Sequence, residues 1–261
     1  MLGKLIKYEY KATMRTFIPL YIAILLVAIV NRLFDERNVE IGFGISACIL
    51  VGLFIALVVI TLMVIIQRFN KNLLGDEGYL MLTLPVKSGY LITSKTFISI
   101  VWTIISGIVA CITCFILIGT REMLNSLLTN FGEIWSKIDW QITVDNEQVN
   151  VIFFLIAMLV LTALTYIGFI FQIYLALAIG QLPKLAKYCS IVAFGAFCVI
   201  SVVISIIINA IVDIENRFIV NRFIANSFVV ESIYEDTCLL IICIILFQSI
   251  KSILDKHLNL D

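Results

Sequence analysis

Six long apolar runs, with no charged side chain in the middle of any, constrain this chain more than anything else in it. They cover residues 17–34, 43–66, 97–119, 151–179, 187–212 and 237–254. A hydrocarbon core of roughly 30 Å needs about 20 apolar residues for one helical crossing, and each run reaches or approaches that length. The last is the shortest, its apolar core running only from Cys238 to Phe247 before Gln248. In lipid every backbone group must be satisfied within its own segment, so continuous runs of this length are helices. A β-barrel would instead show segments of about ten residues with alternating hydrophobicity, and none is present. Apolar residues make up 62% of the chain, against roughly 45–50% in soluble domains. The expected fold class is an all-α membrane protein with six transmembrane helices, forming a single transmembrane domain over 1–261.

Charge orients the helices. The segments before the first run, between the second and third, between the fourth and fifth, and after the sixth hold twelve Lys/Arg and five carboxylates. The other three loops hold six Lys/Arg and thirteen carboxylates. Lys and Arg accumulate on the cytoplasmic side, so both ends are expected there. A basic segment precedes the first run, but Asn31-Arg32-Leu33-Phe34-Asp35 is a poor cleavage site, so that run reads as a retained signal anchor.

Residues 2–16, LGKLIKYEYKATMRT, read as an interfacial amphipathic helix. At 100° per residue Lys4, Lys7, Lys11 and Arg15 fall within about 80° of one another, with Leu2, Leu5, Ile6 and Ala12 opposite. Glu9 falls in the middle of the apolar face. Either it reaches sideways to water or to a nearby Lys, or that face meets protein and Glu9 has a fixed partner. Loop 67–96 is too long for a plain turn. It holds a basic exit (Arg68, Lys71), an acidic knot (Asp76, Glu77), an apolar stretch from Tyr79 to Leu84, a Pro85 stop, and a second amphipathic stretch through Lys95. A helix–turn–helix under the membrane fits it, with Asp76 and Glu77 at a helix N-terminus; a solvated acidic turn is the alternative. Residues 120–150, with Trp135 and Trp140, suggest a short helix at the outer interface. Segment 213–236 suggests short re-entrant helices. Gly44, Cys48, Gly52 and Ala56 form a small-residue ladder in the second run, and Ser201, Ser205 and Asn209 share a face of the fifth. Packing inside the chain, a dimer seam and a pathway lining are all open for both.

Several chemistries have nothing to work with here. No phosphate-binding G-x-x-x-x-G-K-[ST] loop occurs, the only histidine is His257, and the run centres offer no charge for proton or ion coupling. Cys111-x-x-Cys114 lacks a second ligand pair, and all seven cysteines lie in or beside apolar runs, so neither a metal site nor a disulfide framework is expected. The chain is expected not to be an enzyme. Energy for any uphill transport must come from another subunit.

LIKYEYKATMRTFIPLY at the start and QRFNKNLLGDEGYLMLTLPV after the second run resemble the small bacterial ABC transporter type-2 permeases. The resemblance implies the membrane subunit of a two-component exporter in the bacterial plasma membrane, in the type V arrangement. Two permease copies or paralogues would pair with two cytosolic ATPases, which would carry the ATP and magnesium. It implies ATPase coupling through Glu9, Asp76, Glu77, Tyr79, Leu80 and Leu82, with loop 67–96 holding a coupling helix. It places the second and fifth helices, with Gly44, Cys48, Gly52, Ala56, Ser201, Ser205 and Asn209, along a pathway or dimer seam. Amphipathic peptides such as phenol-soluble modulins, drugs or lipid-like compounds would be the cargo; no nucleic acid is implied. The competing readings are a non-transporting immunity or scaffold protein, a binding subunit of an ATP-driven importer, and an intramembrane enzyme. The last two lack a polar ligand pocket and paired catalytic groups respectively.

Overall fold

The computed structural model describes residues 2–37, 39–70, 88–119, 129, 141–144, 147–182, 188–218 and 227–256. Six helices dominate them: α1 (Leu2–Glu36), α2 (Glu40–Phe69), α3 (Ser88–Ile118), α4 (Val151–Gly180), α5 (Cys189–Phe218) and α6 (Ser227–Lys256). Each contains a stretch long and apolar enough to cross a membrane, as the apolar runs require. Large apolar side chains such as Ile22, Leu26, Ile55, Val58 and Leu159 are exposed, the arrangement expected where the solvent is hydrocarbon. The chain has the helices of a multi-pass membrane protein.

Three sequence expectations are corrected. The interfacial helix 2–16 is not a separate element: it runs into the first span as one 35-residue helix, α1. At 1.5 Å per residue α1 is about 52 Å long, well beyond the hydrocarbon thickness. Pro19 sits inside it and withholds one backbone donor without ending the helix. As expected, the second amphipathic stretch of loop 67–96 leads through Lys95 into the third span, as the first turns of α3. The predicted re-entrant segment 213–236 is largely the end of α5 and the beginning of α6, with 219–226 outside the described residues. Finally, 141–150 forms no interfacial helix but an antiparallel hairpin, β1 (Gln141–Val144) and β2 (Glu147–Asn150), with Val144 opposite Glu147. Trp135 and Trp140 lie outside the described residues.

The chain divides into two compact units, residues 1–68 with 85–137 and residues 69–84 with 138–261. In the first, α1 lies along α3. Thr13, Phe17, Tyr21, Ile24, Ala28 and Asn31 recur every three or four residues along α1 and are all buried. This stripe crosses the expected break at 16/17 without interruption, which is why the helix continues there. Trp102 of α3 is its counterpart: Phe17 stacks on the indole at 4.8 Å and Tyr10 at 5.1 Å. The indole Nε1 donates to Thr13 Oγ1 at 2.6 Å, and the Thr13 hydroxyl donates to the Glu9 carbonyl at 2.9 Å. Higher up, Tyr21 Oη and Ser106 Oγ share a hydrogen bond of 2.7 Å. α2 completes the core with Leu57 and is tied to α1 by Asn31 Nδ2, which donates to Ser46 Oγ at 2.7 Å. Association in lipid rests on such packing and hydrogen bonds, because lipid tails are as apolar as leucine. Thr13→Val keeps the shape but leaves the buried Trp102 N–H without its acceptor. It is expected to destabilise by about 1–3 kcal/mol, measured as thermal or denaturant unfolding in detergent. Unchanged unfolding would show that Trp102 has another acceptor.

In the second unit α5 and α6 both pack along α4 and barely meet each other. Gly180, at the end of α4, permits this closeness: a Cβ there would lie 2.8 Å from the Cys189 carbonyl and 3.0 Å from Ala193 Cβ. Farther along, Gly168 faces Cys243 Sγ of α6. α4 begins with a cap, the Asn150 side chain accepting from the Ile152 N–H at 2.9 Å.

Candidate functional site

The charge that looked misplaced in the sequence is the centre of the first unit's polar chemistry. Glu9 is carried by α1, Arg68 by the last turn of α2, and Lys95 by α3 in its second turn. Lys95 Nζ donates to Glu9 Oε1 at 2.9 Å and to the Arg68 carbonyl at 3.0 Å. Arg68 Nη1 donates to Glu9 Oε2 at 3.2 Å. The side chains of Glu9 and Lys95 are 7% and 2% exposed, while that of Arg68 is 26% exposed. Three helices are therefore joined by one carboxylate that uses both its oxygens.

A buried ion pair is costly to assemble and more costly to break, since removing one partner strands the other's charge. Arg68 stands at the more exposed side, and the lysine is sealed within. A cavity of about 20 Å³ adjoins the cluster, with Thr61 and Ser99 in its wall, which is room for one water. Among the described residues one carboxylate faces two cations in this cluster. Such a knot has no acid–base or nucleophilic arrangement; what it can do is fix three helix ends with respect to one another.

Glu9 was expected on a face that meets either water or protein. The face meets protein, and the fixed partners are in the same chain. Sequence reasoning noted Lys95 and Arg68 only as basic loop residues and missed that they converge. The signal that could have found them is the acid on an apolar helix face, which demands cations whose identity depends on the fold.

The other predicted coupling residues, Asp76, Glu77, Tyr79, Leu80 and Leu82, lie outside the described residues. Gly44, Cys48 and Gly52 are exposed and Ala56 is partly so. A Cβ built on Gly44 or Gly52 meets nothing within 4 Å. Among the described residues, nothing packs closely against Gly44 or Gly52. In the second unit, Ser201 donates to Gln172 Oε1 of α4 at 3.2 Å, while Ser205 and Asn209 are exposed. That serine has an intrachain role, and Gln172, its partner, was not singled out.

No protein-family model, curated protein or solved structure matches the chain. The site must be read from its own geometry. Among the described residues no group of His, Cys, Asp or Glu could hold a metal ion, and Cys111 and Cys114 are free and exposed on α3. The residues the site offers are structural and electrostatic: Glu9 as the shared acceptor, Lys95 as the sealed donor, and Arg68 as the donor nearest the surroundings.

Proposed function

We propose that the chain is the membrane subunit of an ABC exporter, working as a dimer and driven by separate cytosolic ATPases. The observation that carries this reading is the clamp of Glu9 on Arg68 and Lys95. Arg68 and Lys95 stand at the two ends of the 67–96 loop, and Glu9 stands on the N-terminal turns of α1. These are the two segments in which the sequence resembles the ATPase-facing surfaces of type-2 permeases. A displacement applied to the loop would reach α1, α2 and α3 together instead of bending one helix end. The basic character of the segments flanking this end supports a cytoplasmic location for it.

In this reading Tyr79, Leu80 and Leu82 supply apolar area to a docked ATPase, and Asp76 and Glu77 set register at the rim of the contact. The amphipathic cargo expected from the resemblance belongs to the same proposal. The test is co-expression with candidate cytosolic ATP-binding cassette proteins, followed by purification in mild detergent and reconstitution. The wild-type chain is expected to retain the ATPase and to support cargo-dependent ATP turnover. Replacing Asp76 and Glu77 together by Lys is expected to leave the permease folded while coupling falls at least about tenfold, equivalent to about 1.4 kcal/mol of lost interaction. Wild-type coupling in that variant would remove the loop from the mechanism. Failure of any cassette ATPase to associate with the wild type would overturn the exporter reading itself.

A further inference from the structure

The second unit contains a furrow that the clamp and its proposed role leave unused. α5 is held against α4 where Gly180 lies under Ala193. Toward the other end of α4 the walls part above Leu161 and Thr165, leaving a cavity of about 240 Å³. Ile208 and Val212 of α5 form one side, and Leu239 and Ile242 of α6 the other. The α6 wall begins at Glu235 and runs for about 10 Å along the helix axis. The volume is below the roughly 300–1,000 Å³ typical of pockets for drug-sized ligands, and suits one slender apolar chain better than a two-chain lipid.

The polar groups of the furrow select its occupant. Glu235 is the only charged residue in its lining, is partly buried, and has no ion pair or hydrogen bond among the described residues. Thr165 donates its hydroxyl proton to the Leu161 carbonyl at 2.8 Å, so toward the furrow it offers lone pairs. Next along α6, outside the furrow's lining, Asp236 has a buried Oδ1 with no hydrogen-bond partner among the described residues. The furrow therefore presents a carboxylate at one end, the hydroxyl lone pairs of Thr165 on its floor, and hydrocarbon elsewhere. An occupant must bring donors and positive charge at one end of an apolar body.

We propose that this furrow binds a single-chain amphiphilic cation, its protonated amine at Glu235 and its hydrocarbon chain between α5 and α6. The site is independent of the exporter reading, because it lies wholly within the second unit and needs no ATPase. Purified chain in phosphatidylcholine nanodiscs would be titrated with radiolabelled dodecylammonium, with empty nanodiscs defining simple partitioning. One saturable site per chain is expected, and dodecyl sulfate should not compete for it. Glu235→Gln should weaken binding about tenfold, the effect of losing one charge-assisted hydrogen bond, while Glu235→Asp retains most of it. Thr165→Phe, which fills the floor and keeps the carboxylate, should also remove the site. Circular dichroism melts of each variant matching wild type would separate loss of the site from loss of the fold. Absence of a saturable component would mean that bilayer lipid keeps the furrow, and would overturn the proposal. So would wild-type binding in the folded Gln and Phe variants, or equal competition by dodecyl sulfate.

Discussion

Glu9→Ala should lower the stability of the first unit by about 3–5 kcal/mol, the usual cost of stranding a buried charge. The lysine it abandons is almost wholly sealed from the surroundings and would keep only the Arg68 carbonyl among the acceptors of the cluster. Uncharged interhelical hydrogen bonds in membrane proteins average only about 0.6 kcal/mol, so a loss of several times that would identify the stranded ammonium as its origin. The double variant Glu9→Ala with Lys95→Met should recover much of the deficit, because an apolar side chain then replaces the cation that has lost Glu9. Glu9→Asp, one methylene shorter, should fall between Ala and wild type because it cannot reach Lys95 and Arg68 together without movement. Denaturant unfolding in detergent, arranged as a double-mutant cycle, measures all three. Additive effects of the Glu9 and Lys95 substitutions would show that the two side chains do not act as a pair.

Gly52→Leu should convert the proposed dimer to a monomer while leaving each chain folded. The second half of that expectation follows from the structure: Gly52 is exposed, and a Cβ built there meets nothing within 4 Å among the described residues. Leucine is also the better helix former, by roughly 0.8 kcal/mol in a helix interior, so the isolated chain should melt no earlier. The first half follows if Gly44, Cys48 and Gly52 let a second α2 approach closely, since a four-carbon side chain in the middle of such a seam holds the backbones apart. Light scattering in detergent gives the mass, and thermal unfolding gives the fold. A dimer of unchanged mass and stability would assign the ladder to lipid. A monomeric wild type would do the same.

The six helices were legible because the bilayer imposes a length and a composition that survive any detail of packing. Their ends were not, because polar residues at the ends can be either solvated or buried among neighbouring helices. α1 shows this well. The basic stripe of Lys7, Lys11 and Arg15 drew attention to the exposed face, whereas the stripe that defines the helix, from Thr13 through Phe17 to Asn31, is on the other side. The Glu9 anomaly was visible, yet its partners are 59 and 86 residues away, and periodicity carries no information over such distances. The hairpin was legible in principle: Gln141-Ile-Thr-Val and Glu147-Gln-Val-Asn flank Asp145-Asn146, residue types that favour tight turns. The two tryptophans beside it suggested a membrane belt and obscured that signal.

The clamp also has a consequence for how the chain is made. Lys95 leaves the ribosome 86 residues after Glu9. At about 5–20 residues per second that is a delay of roughly 4–17 s. During it the Glu9 carboxylate lacks its Lys95 partner and is best accommodated by water at the membrane surface. The first turns of α1 are therefore made well before their partner on α3 and are among the last of the first unit to settle. An N-terminal fusion or trimming that crowds those turns would act on insertion before it acted on the finished protein.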